Sequence, residues 1–276
     1  MTTSTTVTYV AIGDSLSEGV GDVPWPDGTA RGWTDRLAGL LADHHASCDY
    51  ANLAVRGYQA AQVRDRQLAA AVALAPDVVT ITAGMNDILR PRVDFDALAA
   101  TLTDLVLPFR AMGARVLFVP IPDITSISPA GRLTLPRRLR LNAIYQRLCD
   151  ESGVVPLTST TDTVFEDPRA WAEDRLHLSP LGHERLATGA AEALGLEVEP
   201  GWQSPPPGPP PQRTLRTEAA WWSQHATPWI GRRLRGRSSG DGRSAKRPVL
   251  TRVAPDADSL GLDHGRPGGT DERTVR

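Results

Sequence analysis

The sequence has two cysteines, Cys48 and Cys149, in 276 residues. Two thiols at unrelated positions make neither a disulfide framework nor a Cys-based zinc site, so no structural metal is expected. No apolar run approaches the ~18 residues that a membrane span requires. Met1 to Thr8 carries neither a basic patch nor an apolar signal core, which makes the cytoplasm the expected compartment. Lysine is nearly absent: Lys246 stands alone against 29 arginines, a bias that coding composition explains more economically than any demand for guanidinium. Aromatic residues make up only 5%, yet four of the seven tryptophans (Trp202, Trp221, Trp222 and Trp229) fall in the last 76 positions.

What is present is ordinary for a globular chain with a sizeable core: 41% hydrophobic and 22% charged residues. The net charge of −2 hides a change of sign, because residues 1–200 carry −8 and residues 201–276 carry +6. Composition changes at the same place. Pro205 to Gln212 reads PPPGPPPQ, a polyproline-II spacer of roughly 3 Å per residue. The expected organisation is therefore a globular domain over 1–200, a Pro-rich linker over 201–212, and a basic, partly disordered extension over 213–276. In the extension, Arg213–His225 is a candidate short helix, with Leu215, Trp221 and Trp222 expected to dock it on the body.

Residues 1–200 alternate short β-branched apolar runs with helical periodicity, the pattern of βαβ units. Strands are predicted at Thr6–Gly13, Asp49–Val55, Asp77–Ala83, Arg115–Ile121 and Val154–Thr158. Helices are predicted near 33–45, 58–75, 94–112 and 135–151, and from Ser179-Pro180 to about Leu194. Right-handed crossovers then give an α/β fold: a three-layer α/β/α sandwich on a five-stranded parallel sheet of flavodoxin-like order 2-1-3-4-5, with ligands at the carboxyl ends of the strands.

Chemistry-bearing residues gather at those ends. Ser15 lies in GDSLSEG, directly after the first strand. This segment is no phosphate-binding loop, since Val20 follows Gly19, and no nucleophile elbow of GxSxG type, since Ser17 stands two after Ser15. A serine hydroxyl needs a base. Of the six histidines, His177 follows a carboxylate, Asp174, at a spacing that lets one turn orient and stabilise the imidazole. His183, in the first turn of the next helix, reads as packing or capping. Acyl transfer further needs donors where charge develops on the carbonyl oxygen. Gly57, after strand two, offers a backbone N–H, and Asn86, after strand three, a side-chain amide. Each of these groups also has an ordinary reading as a turn, cap or surface residue.

In combination the blocks GDSLSEG, NLAVRG, GMND and DRLHLSPLGH resemble the SGNH (GDSL-type) serine hydrolase superfamily over about residues 7–194. The resemblance implies Ser15 as nucleophile, His177 as general base and acid, and Asp174 as the orienting carboxylate. It implies an oxyanion hole from the Ser15 and Gly57 N–H groups and the Asn86 amide. The implied reaction is hydrolysis of a small-molecule carboxylic ester or thioester through an acyl-enzyme, with no cofactor and no metal. Met85 stands where many relatives have a second glycine, which narrows the site. Pro120 to Pro136 and the Trp25–Trp33 loop are candidates to shape the acyl or leaving-group pocket. Transfer to an alcohol instead of water would need an acceptor site that the sequence does not reveal.

The alternative reading is a non-catalytic scaffold or membrane-surface adaptor. It would work through the tail, whose basic run from Arg232 to Lys246 offers peripheral contact with an anionic surface. A solvated tail is the plainer account of that run, and no nucleic-acid-binding signature accompanies it.

Overall fold

Strand β1 (Thr6–Gly13) is apolar on both faces and so demands cover on both. Its side chains alternate between two cores. Tyr9 and Ala11 join Trp33, Leu37 and Tyr50 on one side. Val10 and Ile12 join Val79, Ile81 and Phe109 on the other. The computed structural model describes residues 5–157, 163–228, 231 and 238–255.

Helix α1 (Ser15–Glu18) leaves β1 at once, and α2 (Trp33–His45) precedes β2 (Ser47–Asn52). A long helical segment follows, made of α3 (Ala60–Val63), a π-helical turn over Arg64–Leu68, and α4 (Ala69–Ala73). Then come β3 (Val78–Thr82), α5 (Met85–Ile88), α6 (Phe95–Ala111), β4 (Arg115–Phe118), α7 (Pro129–Ser152), β5 (Val155–Pro156) and α8 (Pro180–Ala193). Helices α2 and α8 cover the Tyr9 face. Helices α6 and α7 cover the Val10 face, with the segment from Ala60 to Ala71 beside them.

The sheet order is β5-β4-β3-β1-β2-β6. Strands β1 to β5 are parallel in the expected order, but the sheet has six strands instead of five. The sixth, β6 (Arg247–Val253), comes from the extension and runs antiparallel to β2, so that the row of N–H and C=O groups along the outer edge of β2 is paired.

Element ends also differ from the prediction. Helix α7 starts at Pro129 instead of near 135, because Ser128 caps it through Gly131 N–H and proline suits a first helical position. Strand β4 stops at Phe118, short of the proline-rich segment. Strand β5 is two residues long, and Thr158 lies outside the described residues. Helix α8 begins at the expected cap, where Ser179 accepts from Gly182 N–H at 3.3 Å.

The extension packs on the body at several points. Trp202 is 3% exposed and its Nε1–H donates to Glu192 at 3.0 Å. Helix α9 (Leu215–Trp221) continues as a π-helical turn over Trp222–Ala226. Trp221 is buried, whereas Leu215 is 92% exposed and does not dock. Lys246, expected in a solvated basic run, is buried against Asp35 and donates to Ala30 O at 2.9 Å. Trp229 and residues 232–237, the core of the basic run, lie outside the described residues.

Candidate active site

Ser15 opens α1, where a backbone N–H has no intrahelical acceptor. Its turn is held from several sides. Gly13 has φ +139, and a Cβ there would stand 2.3 Å from Thr82 O, so the ends of β1 and β3 can meet only at glycine. Gln67, presented by the π-helical turn, receives Gly13 N–H at 2.7 Å and donates to Gly13 O at 2.9 Å. Beneath α1, Asn52 Nδ2 donates to Ser17 O at 2.7 Å, and Thr34 Oγ1 donates to the same carbonyl at 3.0 Å. All these side chains are buried. Asp14 caps α1 by accepting from Leu16 N–H, and burial pushes its carboxyl up to about 6 against the pull of that bond and of Thr82.

His177 and Asp174 sit in a loop closed by an antiparallel bridge between Trp171 and Leu178. Asp174 Oδ1 accepts from the backbone N–H groups of Leu176 and His177, both at 3.0 Å, and Oδ2 lies 2.6 Å from His177 Nδ1. Burial alone would raise Asp174. The hydrogen bond and charge of His177 and the two backbone N–H donors outweigh it and bring the carboxyl down to about 2. An ionised carboxylate only accepts, so Nδ1 carries a proton, and it is the neutral form of this tautomer that has its lone pair on Nε2. Gly21, with φ +102, lets the loop after α1 approach: a Cβ there would stand 2.2 Å from Leu178 O and 3.2 Å from His177 Cβ.

His183 is structural. Its Nδ1 accepts from Trp33 N–H at 3.2 Å and its Nε2 faces Val20 O at 3.1 Å. Burial lowers it to about 4, so the ring is neutral near pH 7.

Ser15, Gly57, Asn86, Asp174 and His177 all line one cavity of about 390 Å³. Gly57 has φ +79, and its N–H meets no acceptor among the described residues. Asn86 Nδ2 donates to Asp14 Oδ2 at 3.2 Å and to Tyr58 O at 3.0 Å, so in the free protein the amide is held in place by its neighbours. Ser15 Oγ makes no hydrogen bond among the described residues, His177 included. Such bonds often close only when substrate is bound.

Met85 and the segment from Pro120 to Pro129 line the cavity, as expected. The Trp25–Trp33 loop does not. Trp33 is buried in the core and Trp25 stacks on Arg31 at 4.7 Å. Arg175, Trp221 and Trp222 also line it. Sequence reasoning docked the two tryptophans on the body but did not bring them to this cavity, and nothing local singles out Arg175.

Residues 11–185 match the profile of the GDSL-like lipase/acylhydrolase family. Among curated proteins, none matches the sequence. Among solved structures, the acetyl xylan esterase Axe2 of Geobacillus stearothermophilus superposes with a TM-score of 0.57 at 22% identity, over 71% of this chain and 98% of that one. Substitutions described as catalytic mutants of Axe2 fall on a serine, an aspartate and a histidine. LAE5, an alpha/beta hydrolase from the metagenome of Lake Arreo, Spain, superposes with a TM-score of 0.58 at 19% identity, over 71% of this chain and 97% of that one.

Proposed function

The chain belongs to the GDSL-like lipase/acylhydrolase family, and from that premise we propose that it hydrolyses a carboxylic ester or thioester through an acyl-serine at Ser15. The observation that supports the reading is the convergence of Ser15, the hydrogen-bonded Asp174–His177 pair, Gly57 and Asn86 on one cavity.

His177 Nε2 takes the Ser15 proton as Oγ attacks the substrate carbonyl carbon. The negative charge that forms on the carbonyl oxygen is met by the N–H groups of Ser15 and Gly57 and by the Asn86 amide, which turns one N–H from Asp14 Oδ2 or Tyr58 O to the oxyanion, each such donor being worth about 3–4 kcal/mol in the transition state. His177 then gives its proton to the departing alkoxide or thiolate. A water molecule, deprotonated by the same nitrogen, attacks the acyl-enzyme, and the acid leaves as Ser15 recovers its proton. Asp174 keeps Nδ1 protonated throughout and stabilises the imidazolium. Trp221 and Trp222 line the same cavity, which favours a tail that serves this site over a tail acting as an adaptor on its own.

The test is turnover of a p-nitrophenyl ester by wild type and Ser15→Ala, with the wild-type protein quenched early for mass measurement. The reading expects a fall of at least 10³-fold in kcat and an acyl adduct on the peptide carrying Ser15. Equal rates would reject Ser15 as the nucleophile.

A further inference from the structure

The catalytic cavity is walled mainly by apolar side chains, and part of that wall comes from beyond the family-matched region. Ile121, Ile124 and Leu133 contribute from the proline-rich segment and α7, and Trp171 from the loop carrying Asp174. Trp221 and Trp222 contribute from α9 and the turn after it, well past residue 185. An acetyl group would fill little of about 390 Å³ and would leave the tryptophan wall unused.

Trp221 is placed by specific contacts. Thr214 caps α9 by accepting from Thr217 N–H at 3.2 Å. One turn on, the Glu218 carboxylate takes both terminal nitrogens of Arg175, at 2.9 and 2.7 Å. The same guanidinium lies 4.7 Å from the Trp221 ring centroid, and Trp222 meets Trp221 edge-on at 5.4 Å. The Trp221 Nε1–H has no partner among the described residues, so the Arg175 stack, the Trp222 contact and packing hold the indole. Arg175 lies between Asp174 and His177 in the chain and has φ +55, a left-handed conformation that a non-glycine residue adopts at a cost. The anchor of the tail helix is thus built into the loop that presents the base.

We propose that Trp221 is a specificity-determining residue: its indole walls an acyl-chain site, and the protein acts on esters of extended apolar acyl groups in preference to acetate. This rests on the Ser15 reading above. Each buried methylene is worth about a factor of four in binding, so an acyl chain lying along the indole gains affinity that acetate lacks.

The experiment compares kcat/KM for p-nitrophenyl acetate, butyrate, octanoate and dodecanoate in wild type, Trp221→Ala, Trp221→Phe and Ser15→Ala. Wild type is expected to prefer octanoate to acetate by about tenfold or more. Trp221→Ala should lose roughly tenfold on octanoate, mostly through KM, and far less on acetate, while Trp221→Phe keeps most of the selectivity. A wild-type preference for acetate, or a loss in Trp221→Ala that is equal at all chain lengths, would overturn the proposal. If circular dichroism shows Trp221→Ala unfolded, the length profile of Trp221→Leu set beside that of Trp221→Phe decides in its place. Ser15→Ala separates the two claims: full activity there sinks the nucleophile, whereas inactivity at every length with an unaltered profile in the Trp221 variants sinks only the acyl wall.

Discussion

Replacing Asp174 by asparagine tests its proposed role in orienting His177 as the base with almost no change in shape. In the wild type Oδ1 takes two backbone N–H groups at 3.0 Å while Oδ2 takes His177 Nδ1 at 2.6 Å. Asparagine has one oxygen for these three donors. Two of them converge on the Oδ1 position, so the amide oxygen belongs there and the NH2 group is turned towards Nδ1. Two N–H donors cannot face each other at that distance, and the imidazole proton moves to Nε2, which then cannot accept the Ser15 proton. The expected result near pH 7 is a fall of roughly 10³–10⁴-fold in kcat with little change in KM, or about 4–5.5 kcal/mol of transition-state stabilisation. Stability changes too. The drop of the carboxyl from 3.8 to about 2 corresponds to on the order of 2 kcal/mol, and about 1 kcal/mol after allowance for a side chain that is 33% exposed. Because the folded pKa is the lower one, this contribution is present above about pH 4 and is lost as pH falls towards 2. Steady-state kinetics on an activated ester and urea titrations at pH 7 and near 2 read both effects. A folded variant that retains more than about a tenth of wild-type kcat would refute the tautomer argument.

Two further substitutions probe the surroundings of the site. Lys246→Met should cost about 3–5 kcal/mol in chemical denaturation, because it leaves Asp35 buried at 3% side-chain exposure without its cation, and Asp35→Leu in the same chain should recover most of the loss; a change under about 0.5 kcal/mol would place the pair in solvent. Asp14→Asn removes a carboxyl raised from 3.8 to about 6, whose ionisation opposes folding as pH rises through that window, so the stability difference between variant and wild type should shift in favour of the variant by on the order of 2–3 kcal/mol from pH 4 to 8. Thermal melts across that range check it, and a pH-independent difference would contradict a buried ionising Asp14.

The sheet was legible because its signals are local. Strands apolar on both faces, at β1 and β3, announce cover on both sides, and the loops after them carry Ser15 and Asn86 to one rim. The groups that hold Ser15 in place gave no such signal. Asn52, Thr34 and Gln67 are polar residues whose burial follows from partners 17 to 54 positions away, and Gln67 reaches Gly13 from a π-helical turn that apolar periodicity does not mark. Strand β6 was missed for the same reason. Most of its side chains are exposed, so it carries little apolar patterning, and its place is set by the open edge of β2, about 200 residues earlier in the chain. The tail helix shows where composition misleads but geometry does not. Leu215 and Trp222 are seven apart and share a stripe on a helix of 3.6 residues per turn, while Trp221 lies about 100° round from Trp222. Three apolar side chains in that arrangement cannot all face one surface. Leu215 at 92% and Trp222 at 45% exposure mark the outer stripe, and Trp221 at 9% turns inward. The Glu218–Arg175 pair explains that choice: Glu218 and Trp221 are three apart and lie on one side of α9, so the bond that ties Glu218 to the Asp174–His177 loop also directs the indole into the cavity.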